Sequence, residues 1–183
     1  MLDTSRDKIT RGRSLAAIRW AAGDEVVVEE RAFDPIVVAS AFRLQGVNFQ
    51  RSAGVLAASL DWDENDRPKR LTALPFYLLV SYAAELFLKA ALLKRGWSEH
   101  ELKRFELRHN LSALAAELAS VGVALSPRLG ALLDQLSKQH ATHQLRYTVL
   151  LDNGEKTFLP PRGVVLAALD ELLSLTRIST QGR

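Results

Sequence analysis

A glutamate and a lysine stand four residues apart in a segment that is otherwise apolar. Glu85 and Lys89 interrupt the run from Ala83 to Leu93, in which all the remaining residues are hydrophobic. On a helix the two side chains lie on one face, with the glutamate first, which is the order that favours an ion pair. Burial of such a pair costs desolvation free energy, so a buried pair has a structural or functional reason.

Two arrangements of this polar face are open. Together with Ser81, the pair forms a polar stripe on its helix. The stripe either faces solvent, where the pair contributes about 0.3–0.5 kcal/mol, or it faces a cleft or the segment around His109. The neighbouring Tyr82 and Leu92 add weight to the second arrangement without making it the favoured one, because large apolar side chains are rarely fully exposed together.

A second chemically suggestive pattern is an arginine, four residues and a histidine, Arg104 to His109. Arginine can hold a phosphate and histidine can transfer a proton, which together are the minimal equipment for cleaving RNA through its 2′-hydroxyl. On one continuous helix the two residues would point about 140° apart, so convergence requires a break in the helix. The alternative is structural: Asn110 caps the following helix, contributing about 1 kcal/mol.

The remaining polar patterns are weaker. His140 and His143 are three apart, but no glutamate follows in zinc-protease spacing and the chain has no cysteine, so we expect no metal and no cofactor. Arg146 and Tyr147 offer an anion contact or a hinge anchor. No nucleophile elbow for serine catalysis and no glycine-rich phosphate loop is present.

Composition is that of a globular domain. The 183 residues are 48% hydrophobic, and 24 basic residues against 21 acidic ones leave a net charge of +3, which permits contact with nucleic acid without requiring it. The absence of cysteine excludes disulfides and thiol catalysis and fits a reducing compartment. No leader pattern precedes the domain, so we expect a cytoplasmic protein.

The apolar periodicity predicts a mainly α bundle. Asp34 and Pro35 form a helix start, and Gly46 and Gly54 in the first helix predict a close helix crossing. Asn153-Gly154 predicts a β-hairpin turn. We predict an extension over 1–34, a helical domain over 35–183, a β-hairpin near 147–159, and helices over about 35–60, 74–95, 111–122, from 127, and 164–178.

The stretch from Leu71 to Leu93 is long enough to cross a membrane, but Pro75, Glu85 and Lys89 interrupt it. We therefore expect a buried bundle helix and no membrane association.

These motifs resemble the HEPN (higher eukaryotes and prokaryotes nucleotide-binding) superfamily. The resemblance rests on Tyr82-Ala-Ala-Glu85-Leu-Phe-Leu-Lys89, on a linker with Gly96, on His109-Asn110-Leu111-x-x-Leu114 and on Arg146-Tyr147. It covers roughly residues 35–178 and is densest between residues 82 and 114. It implies an antiparallel bundle of four or five helices and a homodimer.

The resemblance also implies a choice of functions. Many members are metal-independent endoribonucleases of toxin–antitoxin, phage-defence or RNA-processing systems, with an arginine–histidine signature late in the bundle. Arg104 and His109 match that spacing but lie early in the chain. Members without the signature bind RNA, a nucleotide or a partner protein.

We therefore expect a HEPN-like protein that binds RNA or a nucleotide, in a bacterial defence or toxin–antitoxin context and with a possible antitoxin-like partner. One alternative is an endoribonuclease that uses Arg104 and His109 as catalytic residues; a second is a non-catalytic dimeric interaction module. The expected binding residues are Glu85, Lys89, Arg108, Asn110, Arg146 and Tyr147.

Overall fold

A computed structural model describes residues 34–141, Leu145 and residues 159–177, and this part of the chain is mainly helical. Two 3-10 turns, at Leu71–Ala73 and Phe105–Leu107, join the helices. The six described helices are α1 (Pro35–Ser59), α2 (Leu74–Leu93), α3 (Glu99–Leu102), α4 (Leu111–Ser120), α5 (Pro127–Ala141) and α6 (Arg162–Leu175). The mainly α class expected from the periodicity is thus confirmed.

Two predicted regions lie outside this description. The predicted hairpin falls on residues that the structure does not describe, apart from Leu159, and so does the extension apart from Asp34. Contacts divide the chain into residues 1–34 and 35–183. The hairpin and the extension both stay predictions.

Helix α2 is the centre of the bundle. It packs against α1, α4, α5 and α6, and 13 of its 20 residues are buried. Its length and composition would also allow it to cross a membrane, but 72% of its most apolar window is buried inside the protein. The core packing explains the apolar run without a lipid environment.

Helix starts follow the sequence signals. Ser98 and Glu101 form a reciprocal capping box at α3, Asn110 caps α4 through its side chain, and the Ser126 hydroxyl accepts a hydrogen bond from the Leu129 N–H in the first turn of α5. The start of α6 has a partner from a distant loop, because Asp66 accepts a hydrogen bond from the Gly163 N–H and pairs with Arg162 at 2.7 Å.

Several predicted helix bounds were wrong by one to three residues: α1 ends at Ser59 instead of residue 60, and α4 ends at Ser120 instead of residue 122. Helix α2 ends at Leu93 instead of residue 95, because Gly96 adopts a positive φ of 95° that reverses the chain. Helix α6 spans Arg162–Leu175 instead of residues 164–178. Capping determines such ends more than periodicity does.

The predicted close crossing occurs at one of the two glycines. Gly46 is buried against α2, where an added Cβ would lie 2.6 Å from a ring carbon of Phe87. Phe87 is itself fully buried, so its ring has no space to retreat. An added Cβ at Gly54 would meet no atom within 4 Å, and the expectation of a crossing there was wrong.

These two glycines allow a matched test of packing within one helix. Gly46→Ala gains helix propensity but overpacks against Phe87, and we expect a net loss of about 1–3 kcal/mol of unfolding free energy. Gly54→Ala is the control and should gain about 0.5–1 kcal/mol. Urea unfolding followed by circular dichroism measures both; equal effects of the two changes would contradict the close α1–α2 contact.

Candidate functional site

One carboxylate connects three cationic or imidazole side chains. Glu85 on α2 pairs through Oε1 with the Lys89 Nζ at 2.6 Å. Its Oε2 lies 3.0 Å from the Nδ1 of His109, which precedes α4, and 2.8 Å from the Nε2 of His140 on α5. We call these four residues the Glu85 cluster. The polar face of α2 therefore faces the His109 segment, and the solvent-facing arrangement is excluded.

The contacts of this cluster favour the ionised form of the Glu85 carboxylate. Burial by itself raises the pKa of Glu85, but the hydrogen bond from His140, the Lys89 ammonium and the bond from His109 together outweigh burial and hold that pKa well below its usual range. An ionised carboxylate only accepts hydrogen bonds. The Nδ1 of His109 and the Nε2 of His140 therefore both carry the hydrogen that they donate to Glu85.

His140 is the deepest member of the cluster. Its side chain is 1% exposed, and the Tyr82 ring packs edge-on against it with centroids 5.2 Å apart. Its Nδ1 is buried and has no hydrogen-bond partner among the residues that the structure describes. In the neutral ring this nitrogen carries a lone pair instead of a proton, because the proton lies on Nε2.

His109 is positioned by backbone conformation and by the cap of α4. Its φ is +55°, a left-handed conformation that is uncommon outside glycine. The next residue, Asn110, accepts hydrogen bonds from the Ala113 N–H at 3.0 Å and the Ser137 hydroxyl at 3.0 Å. The turn is thus tied to α5, which keeps the imidazole over Glu85 with its side chain 35% exposed.

The predicted site residues fall into three groups. Glu85, Lys89, His109 and Asn110 come together as described above. Arg108 precedes His109 in the sequence and is exposed. Arg146 and Tyr147 lie outside the described residues, so their roles stay predictions.

Arg104, the expected catalytic partner of His109, has different partners. Its guanidinium pairs with Glu117 at 3.4 Å, donates to the Glu101 carbonyl at 3.1 Å and lies 5.2 Å from the centre of the Trp97 ring. A 3-10 turn supplies the break in the helix between Arg104 and His109. The described contacts nevertheless attach the arginine to α3 and α4 and the histidine to α2 and α5.

Sequence reasoning missed the roles of His140 and Ser137. His140 was considered only as a metal partner of His143, which lies outside the described residues. A usable signal was present: Leu129, Leu133 and Leu136 form the buried stripe of α5, and His140 continues it at helical spacing. A polar residue on such a stripe is buried and needs a partner.

The same groups have the composition of a metal site. One ligand atom each from Glu85, His109 and His140 lie within 4.8 Å of one another. Two imidazoles and a carboxylate suit a divalent transition metal. Lys89 opposes this use, because its ammonium already lies 2.6 Å from the carboxylate and would repel a cation. Hydrogen bonds within the cluster account for the arrangement without an ion.

Comparison with protein-family models, with curated proteins and with solved structures gave no match.

The buried charges predict a large stability difference between two glutamate changes. Glu85→Gln leaves Lys89 and the two imidazoles without their anion, and we expect a loss of about 3–5 kcal/mol of unfolding free energy. The control is Glu99→Gln, which breaks the exposed pair with Lys103 at the same spacing and should cost less than about 0.5 kcal/mol. Chemical unfolding at neutral pH measures both; similar losses would contradict the buried network.

The stabilisation by Glu85 should also depend on acidity. Its pKa is depressed in the folded protein, so its contribution is fully present above the ordinary value of 4.5 and is lost as the pH falls below it. The difference in unfolding free energy between wild type and Glu85→Gln should therefore narrow between about pH 5 and about pH 3. A difference that stays constant over this interval would show that the carboxylate is not stabilised in its charged form.

Proposed function

We propose that this chain is a HEPN-like helical protein that binds RNA or a nucleotide without cleaving it. Of the residues on which the resemblance rests, Lys89 and His109 both contact Glu85, and Asn110 follows His109 and caps α4 within a mainly α protein. Glu-x-x-x-Lys on a helix is common by itself. Its convergence with the His-Asn turn, which is distant in sequence, is the stronger support.

The observation that carries the proposal is the hydrogen bond from His109 to the buried Glu85 carboxylate. This hydrogen bond orients a partly exposed imidazole at the edge of the apolar core. The neighbouring Arg108 is exposed. A guanidinium fork is a suitable donor for phosphate oxygens, and an imidazole whose Nδ1 already donates to a carboxylate adds a second donor, at Nε2, in its doubly protonated form. In this proposal Arg108 and His109 contact the phosphate, and Glu85 and Lys89 hold His109 in position.

Endoribonuclease activity is the second candidate, and one observation favours it. Because Glu85 accepts from Nδ1, the neutral His109 ring has Nε2 as its basic nitrogen, which is the form that a general base needs. It would take the proton of a 2′-hydroxyl, whose oxygen bonds to the phosphorus to form a 2′,3′-cyclic phosphate, while the bond to the 5′-oxygen breaks and that oxygen leaves with a proton from water. The partners of Arg104, Glu117 and Trp97, favour binding over cleavage, because they occupy the expected phosphate clamp.

The resemblance further suggests a homodimer with an antitoxin-like partner, and the lack of cysteine is consistent with a cytoplasmic location. An assembly of this kind, without RNA or nucleotide binding, is the third possibility. Light scattering after size-exclusion chromatography measures the mass in solution, which distinguishes a homodimer from the 20.3 kDa monomer.

The proposed function is tested by the binding of labelled single-stranded RNA, and of ATP as the nucleotide probe, measured by fluorescence anisotropy and calorimetry. We expect RNA affinity to fall steeply from about 50 to about 200 mM salt. Arg108→Gln should weaken binding and reduce the salt slope by about one, because one phosphate contact is removed. Arg128→Gln, at an exposed position of α5, is the matched control and should bind as wild type does.

Three results would contradict this proposal. Wild-type protein that binds neither probe excludes it, and so does equal weakening by Arg108→Gln and Arg128→Gln. RNA cleavage in the presence of a chelator, lost in His109→Gln protein that remains folded, would replace it with the ribonuclease.

A further inference from the structure

A basic cleft lies where three helices meet, at residues different from those of the Glu85 cluster. It has a volume of about 370 Å³ and is lined by Ser40 and Arg43 of α1, by Lys94 at the end of α2, and by Thr176 and Arg177 after α6. Three of the five lining residues are cationic and none is acidic. A cavity of this size is within the range of small-molecule sites.

Only some of these cations are explained by their position at the carboxyl end of a helix. Lys94 donates to the Thr176 carbonyl, and the adjacent Arg95 donates to the Ala91 and Leu175 carbonyls at 2.8 and 3.4 Å. These cations complement the carboxyl ends of α2 and α6. Arg43 and Arg177 have no such role, since neither side chain makes a hydrogen bond or an ion pair within the described part of the chain; the Arg177 backbone N–H donates to the Ser174 carbonyl.

The cations of the cleft repel one another. Burial lowers the pKa of Lys94, and the nearby Arg43 and Arg95 guanidinium groups lower it further. Like charges held together without a carboxylate destabilise the unliganded protein. A bound anion would relieve this repulsion and would gain from all of the cations at once.

We propose that this cleft is a binding site for a compact phosphate-bearing anion, with Arg43, Lys94 and Arg177 as its ligands. Arginine meets two phosphate oxygens with its planar fork, and lysine supplies a point charge. The cations come from the ends or surfaces of three separate helices, so the site exists only in the folded bundle. Pyrophosphate is the simplest probe because it presents several charges within a small volume.

Arg43→Gln is the informative change, because Arg43 makes no described contact that the fold would lose. Arg51→Gln is the matched control, at an exposed position of the same helix. Calorimetry with pyrophosphate at constant ionic strength should show binding to wild type and Arg51→Gln. Arg43→Gln should bind about ten- to a hundredfold more weakly.

Thermal unfolding supplies a second readout. Without added anion, Arg43→Gln should melt at the same temperature as Arg51→Gln or higher, because it removes repulsion. With pyrophosphate, the melting temperature should rise for wild type and the control and much less for Arg43→Gln. No pyrophosphate binding by wild type, or equal affinities of the two variants, would overturn the proposal, as would a marked destabilisation of Arg43→Gln without anion.

This site does not rest on the proposed function. Pyrophosphate binding is measured without RNA, and Arg108→Gln should leave it unchanged, so each proposal can fail alone. Replacing pyrophosphate with ADP distinguishes the source of the phosphate. Tighter binding of ADP assigns the cleft to a nucleotide, and equal or weaker binding assigns it to an inorganic or other small phosphate.

Discussion

The Glu85 carboxylate is the constraint on which the polar part of this structure depends. A charge buried in the central helix requires compensation from several directions, and it receives it from Lys89, His109 and His140. These partners come from α2 itself, from the turn before α4 and from α5. The electrostatic requirement of one side chain therefore sets how three parts of the bundle meet.

Packing imposes a second constraint on the same helix. Helix α2 is surrounded by four others, so nearly every side chain on it must fit a neighbour. Gly46 lets α1 approach the Phe87 ring, and the Tyr77 hydroxyl donates to the Pro160 carbonyl just before α6. A buried hydroxyl needs such a partner. The apolar surroundings in turn raise the cost of leaving Glu85 unpaired, so core and cluster stabilise each other.

The two proposed sites differ in how the charge of their cations is balanced. In the Glu85 cluster a carboxylate balances the cations, so that the cluster needs no external ion. In the basic cleft none of the lining residues is acidic, backbone carbonyls at helix ends balance Lys94 only in part, and the proposed anion would supply the rest. The small net charge of +3 hides this asymmetry, because it sums over surfaces that do not interact.

The sequence by itself determined the helical class and most helix starts, because periodicity and capping act locally. It offered Gly46 and Gly54 alike as points of close crossing, and only the structure showed that Gly46 is the one. The sequence left open whether Glu85 and Lys89 face solvent or the His109 segment, and the hydrogen bond from His109 to Glu85 decided this. Only the tertiary structure decided that His140 completes the cluster, that Arg104 pairs elsewhere, and that Arg43 meets Lys94. Those contacts join residues of different helices, and no local pattern encodes the relative placement of helices.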